Sequence, residues 1–269
     1  MEVVSLHSVR ADFPTEWDHC NIYTLADLHI GDEHARMDEI AQRINAIKED
    51  PCGLCICNGD LLNTATKTSV SDIYSEQLSP MQQMQAAVDL LTPIRDKIIA
   101  ATAGNHENRI YRMDGVDITR LVCRELGVED KYHPAGVLVF LRFGTREAAS
   151  QHRKENRNPR QWYSIYALHG SGGGRKEGAK AIRLADMAAI VDADIYIHSH
   201  THLPMVMKNS FYRADSSNCC AKCTEKLFVN TGAALEYGGY GQMQEFKPAS
   251  VSNPVIHLEA RRKRATATM

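Results

Sequence analysis

Three histidines stand at alternate positions in "IYIHSHTHLP", residues 195 to 204. If the strand begun by this apolar run continues, His198, His200 and His202 share one face, because side chains alternate along a strand. Neutral imidazoles that converge are a common way to hold a divalent metal, although single histidines also pack quietly in cores. A metal would need further ligands, and the chain offers them at regular places. Asp27 and His29 lie in "ADLHIGD", Asp60 in "NGD", Asn105 and His106 in "AGNHENR", and His169 in "YALHG".

Each of these groups closes an apolar, strand-like run. The runs are "NIYTLAD" (21–27), "GLCIC" (53–57), "KIIAATAG" (97–104), "WYSIYALHG" (162–170) and "DIYIHSH" (194–200). Further strands are expected at 136–144, 225–232 and 254–262. Met37, Ile40, Ala41, Ile44 and Ile47 recur at helical spacing after the first run. Ser79-Pro80 reads as an N-cap followed by proline at the first helical position, with Met81, Met84, Val88 and Leu91 on one stripe. A third helix is expected at about 177–191. Strand–helix alternation in the first half predicts a largely parallel sheet. With the strand-rich second half, the sum is a two-sheet sandwich with helices outside. The basic stretch "QHRKENRNPR" (151–160) is expected at a hairpin tip. Sites in open sheets form at the carboxyl ends of strands. One Asp or Asn there means little, since both are ordinary loop formers. Five such ends in order are hard to attribute to loop chemistry.

Composition sets the bounds. The chain has 269 residues, a formal net charge of -2, 43% hydrophobic and 24% charged residues. That balance gives no global pull toward nucleic acid or membrane, so such binding would rest on local patches. No repeat, low-complexity tract or linker interrupts it, so residues 1–269 are expected to form one domain. The N-terminus carries no signal-peptide pattern and no run approaches a membrane span, so a cytoplasmic protein without membrane contact is expected. Eight cysteines include Cys55 and Cys57 in a strand-like run, expected as small core residues. Cys219, Cys220 and Cys223 in "NCCAKC" are a weak zinc signal.

The ordered set DxH, GD, GNHE, H and HxH resembles the calcineurin-like metallophosphoesterase family, over roughly residues 21 to 232. The resemblance implies an α/β fold, a four-layer α/β/β/α sandwich of two mixed sheets flanked by helices. It implies two divalent ions, one held by Asp27, His29 and His202, the other by Asn105, His169 and His200, with Asp60 bridging both. Two ions at about 3.5–4 Å need a shared anionic ligand, which a carboxylate supplies. Manganese is expected first, and iron, zinc or cobalt suit the same nitrogen and oxygen donors. His106 is implied as the residue that is not a ligand, placed near the substrate oxygen to protonate the leaving group or stabilise the transition state, and oriented by an acidic group. His198 is expected to be buried behind the ligands, and Asp32 and His34 to lie outside them.

Departures from the family pattern matter too. Ser199 stands where many relatives have the glycine of GHxH. "GDLLNTA" places Asn63 and Thr64 where protein serine/threonine phosphatases have the Asp and Arg of GDxxDRG, which argues against that class. In "HGSGGGRKEG", exposed glycine N–H groups, Arg175 and Lys176 are expected to meet a substrate phosphate. Residues 64–80 are expected to form part of a cap, and with 230–242 look similar to small metallophosphoesterases of phages and mobile elements.

The expected function is metal-dependent hydrolysis of a phosphodiester, with a nucleic acid or nucleotide as partner. "ADLHIGDEH" resembles the opening of the DNA-repair exonuclease branch, and basic stretches at 152–160 and 261–264 could meet a phosphate backbone. Hydrolysis of small phosphomonoesters is the alternative. A non-catalytic scaffold on the same fold, as in a retromer subunit, ranks last, because all seven candidate ligands and His106 are present. The oligomeric state is not legible.

Overall fold

The computed structural model describes residues 6–14, 16–67, 69, 73–144, 161–172, 174–243, 245–248 and 250–269. The basic stretch 151–160, read above as a hairpin tip, lies outside them. In chain order the elements begin with β1 (Ser8–Asp12), β2 (His19–Leu25), α1 (Met37–Glu49), β3 (Gly53–Asn58), α2 (Pro80–Leu91) and β4 (Ile98–Thr102). Then come α3 (Glu107–Asp114), α4 (Ile118–Glu125), β5 (Tyr132–His133), β6 (Val137–Arg142), β7 (Trp162–Leu168) and α5 (Glu177–Asp186). The chain continues through β8 (Ile195–His198), β9 (Met205–Asp215), β10 (Cys220–Asn230), α6 (Gly239–Met243), β11 (Val255–Glu259) and β12 (Ala265–Thr268).

These strands make two six-stranded sheets. One has the order β12-β11-β2-β3-β4-β5, the other β1-β6-β7-β8-β10-β9. Both are mixed: β2, β3, β4 and β5 run parallel, as do β7, β8 and β10, while β11 and β9 pair antiparallel at the flanks. The strand faces explain the layering. Ile22, Ile56, Val139, Ile165, Ile197, Val229 and Ile256 interdigitate between the sheets. The opposite face of the first sheet packs Leu25, Cys55 and Cys57 on Ile40, Ile44, Leu91 and Val122 of α1, α2 and α4. The second sheet turns Tyr166, Tyr196 and Phe228 onto Leu184 of α5 and Met187 beyond it. Because both sheets are covered on both faces, β3, β4 and β8 are buried at every position and show no exposed, polar face. The four-layer α/β/β/α expectation holds, and Cys55 and Cys57 are core residues.

Local chemistry starts α2: the Ser79 side chain and Gln82 form a reciprocal capping box, with Pro80 at the first helical position. The expected helix at 177–191 ends earlier, at Asp186, and a short 3-10 turn, Met187–Ala189, completes it. Strands β1, β5, β9 and β12 and helices α3, α4 and α6 were not anticipated. No helix among the described residues is long and apolar enough to cross a membrane.

Candidate metal centre

Asp27 follows β2 by two residues and Asp60 follows β3 by two, while Asn105 and His106 connect β4 to α3. His169 follows β7 directly, and His200 and His202 lie just past β8. Parallel pairing brings these carboxyl ends to one edge of the sandwich, with ligands from each sheet's side of the cleft. Backbone hydrogen bonds tie the first two ends together, with Asp27 N–H donating to Gly59 O (3.1 Å) and Leu28 N–H to Asp60 O (2.8 Å). Asp27, His29, Asp60, His200 and His202 all have φ between 49° and 64°. Asp and His tolerate this left-handed region better than most residues, but each still costs of order 1–3 kcal/mol, which the packed strands must hold in place.

Ligand atoms of Asp27, His29 and His202 lie within 4.8 Å of one another, and so do those of Asp60, His169 and His200. A third group, His29, Asp60 and His106, joins the two. His202 Nε2 stands 3.2 Å from Asp27 Oδ1 and 3.4 Å from His29 Nε2. His169 Nε2 stands 3.1 Å from Asp60 Oδ2 and 3.2 Å from Asn105 Oδ1. Asp27 Oδ1 and His29 Nδ1 are buried without a hydrogen-bond partner among the described residues. Orphaned buried atoms among converging carboxylate, imidazole and amide donors are what a cation would satisfy, so the residues fit divalent metal. All seven candidate ligands are brought together.

A layer of hydrogen bonds aims them. His169 Nδ1 donates to Asn58 O at 2.8 Å, leaving Nε2 free to ligate. Asp27 Oδ2 accepts from His200 N (3.1 Å) and Thr231 Oγ1 (3.3 Å). Ser199 is fully buried and its Oγ accepts from Asn58 Nδ2 at 2.7 Å, so the hydroxyl that replaces glycine is used. His198 pairs with Asn230 Oδ1 at 2.9 Å and is buried behind the ligands, as expected. At Gly104 an added Cβ would run into the Asp60 carboxylate and backbone, so no larger residue fits there.

His106 is oriented differently from expectation. Among the described residues no carboxylate accepts from its Nδ1; the Asn63 backbone carbonyl does, at 2.8 Å. Asn63 replaces the acidic residue, and its side chain donates to Asp32 (3.1 Å) and to Glu76. Thr64, β-branched at φ 42°, bonds through Oγ1 to the His106 carbonyl at 2.7 Å. Sequence reading missed Glu107. It is buried and accepts backbone N–H groups from Leu62 (2.9 Å), Gly104 (2.9 Å) and Asp60 (3.1 Å). Its signal was an acidic residue directly after the GNH motif.

Electrostatics follow from this burial. Burial opposes charge on Asp60, but His169 and His106 outweigh it and hold the carboxyl well below its usual range. Burial likewise opposes charge on His169, yet the Asp60 carboxylate raises it to about 10. Burial and then the His169 charge push His200 down to about 4. Burial and the nearby Asp60 raise Glu107 to about 7.

The other expected residues sit further out. The Arg175 guanidinium lies 5.5 Å above the Phe246 ring, and exposed Lys176 precedes α5; among the described residues neither belongs to a ligand group. Lys180, unnoticed in the sequence, donates to Thr201 O at 2.7 Å, between His200 and His202. Asp32 and His34 join through the His34 N–H (2.8 Å) and stay outside the clusters. Gln77 N–H donates to Gly31 O at 2.9 Å, which seats part of 64–80 beside the first motif. Cys219 in the β9–β10 turn and Cys220 and Cys223 in the first residues of β10 are exposed and in no ligand group among the described residues.

The family model described as "Calcineurin-like phosphoesterase" matches residues 25–204. A comparison with curated protein sequences found no match. Among solved structures, a conserved protein of Streptococcus pneumoniae TIGR4 described as a predicted phosphoesterase is 13% identical, with a TM-score of 0.36 over 93% of this chain and 97% of that one. A double mutant of Vps29 from Entamoeba histolytica is 13% identical, with a TM-score of 0.42 over 92% and 89% of the chains. Wild-type Vps29 of the same organism, complexed with Zn2+, is 11% identical, with a TM-score of 0.36 over 92% and 97%. Such distant likenesses carry no argument about activity. The family match covers the segment from the end of β2 to the loop past β8, which holds every candidate ligand, and on it the chain belongs to the calcineurin-like phosphoesterase family.

Proposed function

We propose that the chain is a phosphodiesterase dependent on two divalent ions, with manganese the first expected. The reading is carried by Asp60, whose carboxylate falls in both the group with His169 and His200 and the group with His29 and His106. Asp27, His29 and His202 would hold one ion and Asn105, His169 and His200 the other, with Asp60 between them. Bound divalent ions supply the acidity that makes hydroxide available near neutral pH and neutralise charge on the phosphoryl oxygens.

The residues of the chain do the rest. Asp27 and Asp60 accept the backbone N–H groups of His200 and His106, so each carboxylate also fixes a loop from across the site. His106 Nε2, 3.9 Å from Asp60 Oδ2, faces the same space as the ligands and serves the leaving oxygen. Asn105 is exposed and the His202 side chain is 34% exposed, so the centre opens at the surface. An open rim favours an extended diester, as in a nucleotide or nucleic acid, over a small enclosed monoester.

The test is hydrolysis of bis-p-nitrophenyl phosphate against p-nitrophenyl phosphate by metal-free protein reloaded with Mn2+. A diester preference is expected. Monoester preference would move the assignment to a phosphomonoesterase, and no metal-dependent turnover of either would leave a binding scaffold.

A further inference from the structure

The first turn of α3 places a second charged group against His106. Arg109 lies three residues further on, a spacing that lets side chains meet on a helix. Its Nη2 stands 3.1 Å from His106 Nε2. The other ring nitrogen settles the tautomer. His106 Nδ1 is 2.8 Å from the Asn63 carbonyl, which only accepts, so Nδ1 carries the hydrogen and Nε2 accepts from Arg109. The far end of the guanidinium, Nη1, is buried without a hydrogen-bond partner among the described residues. A buried orphan donor on a cation is rare enough to demand an acceptor.

Neighbouring carboxylates do not supply it. Asp60, Glu107 and Glu76 attract Arg109 at a distance, but each is engaged elsewhere. Glu107 accepts three backbone N–H groups, Glu76 holds Asn63 and Gln83, and Asp60 holds the His106 N–H and faces His169. The guanidinium is therefore short of one acceptor at Nη1, while its Nη2 lies against His106.

We propose that Arg109 is a phosphate-binding residue, gripping non-bridging phosphoryl oxygens with Nη1 and, once it turns from His106, with Nη2. This inference rests on the phosphoesterase reading above. A planar guanidinium offers two parallel N–H groups to an oxyanion, a geometry that lysine cannot match. Turning away also frees His106 Nε2 to take up a proton from solvent, which it then gives to the leaving oxygen. The grip thus couples arrival of the phosphate to release of the histidine.

Calorimetric titration of orthophosphate into Mn2+-loaded protein tests this, comparing wild type with Arg109→Ala and Arg109→Lys. Arg109→Ala is expected to weaken phosphate binding at least about tenfold, the loss of one charge-assisted contact. Arg109→Lys should recover part of it, with Mn2+ content and melting temperature unchanged in both. If alanine does not fold, a several-fold weakening in Arg109→Lys supports the grip equally. Equal phosphate affinity in wild type and variants would overturn the inference, and so would loss of Mn2+ from Arg109→Ala. Arg109-dependent phosphate binding in a protein that hydrolyses neither p-nitrophenyl ester would instead overturn the catalytic reading and keep the anion grip.

Discussion

Asp60 and His106 are joined before any ligand arrives: the His106 backbone N–H donates to Asp60 Oδ1 at 2.8 Å, while Asp60 Oδ2 faces His169 Nε2 at 3.1 Å. One carboxylate therefore locks the loop that carries the candidate acid and also points into the ligand cluster. Asp60→Asn keeps the first bond and weakens the second function. Both ions should be lost together in metal analysis, with turnover down at least about 100-fold. Loss of a single ion would remove the bridging role.

His106→Ala acts on another link. Its side chain belongs to neither of the two proposed ligand sets, so metal content should stay at two ions per chain. Turnover should fall about 10²–10⁴-fold, the range for a positioned general acid. Unchanged kinetics would take His106 out of the mechanism.

The pair of His169 and Asp60 makes the metal-free protein sensitive to pH. His169 is raised to about 10, so the stability it contributes is fully present below its ordinary value and lost as pH rises through about 10. Asp60 is held well below its ordinary value, so its contribution is present above that value and lost as pH falls toward the depressed one. Melting of the metal-free protein should thus be highest between these limits. Metal needs neutral His169, so binding at pH 7 should release protons, read as a dependence of the calorimetric enthalpy on buffer ionisation. An enthalpy independent of buffer would contradict the charged pair.

Glu107→Gln tests the scaffold under the site. Glutamine has one acceptor oxygen where three backbone N–H groups now converge. A loss of about 2–3 kcal/mol in chemical denaturation is expected, with weaker metal binding because Asp60 and Gly104 lose their anchor. Wild-type stability in this variant would mean that water replaces the carboxylate.

Ser199→Gly asks whether the departure from the GHxH pattern is structural. Asn58 Nδ2 would lose one acceptor and keep Leu168 O, for a loss of about 1 kcal/mol with metal content intact. A stability gain would show that the buried hydroxyl strains the turn.

Much of this centre was legible because its chemistry is local. An Asp, Asn or His directly after an apolar run declares both its strand and its place at the strand's carboxyl end, so Asp27, Asp60, Asn105, His169, His200 and His202 could be named from order alone. What joins them is not local. Asp27, Asp60 and Asn105 come from one sheet and the three histidines from the other, and only face-to-face packing of Ile22 and Ile56 on Ile165 and Ile197 sets their distances. Strands β1 and β12 went unread because they are short flanking strands, and β9 because its exposed, polar outer half lacks a buried face to pattern it. The same reason hid the partners of His106 and Arg109. A backbone carbonyl carries no residue type, so Asn63 O could not be foreseen as the group that orients His106. Nor does any spacing announce that one guanidinium nitrogen of an arginine three residues further on will be buried short of an acceptor. Side-chain type chose the chemistry of this protein, while long-range packing decided which groups meet and which donors are left wanting an anion.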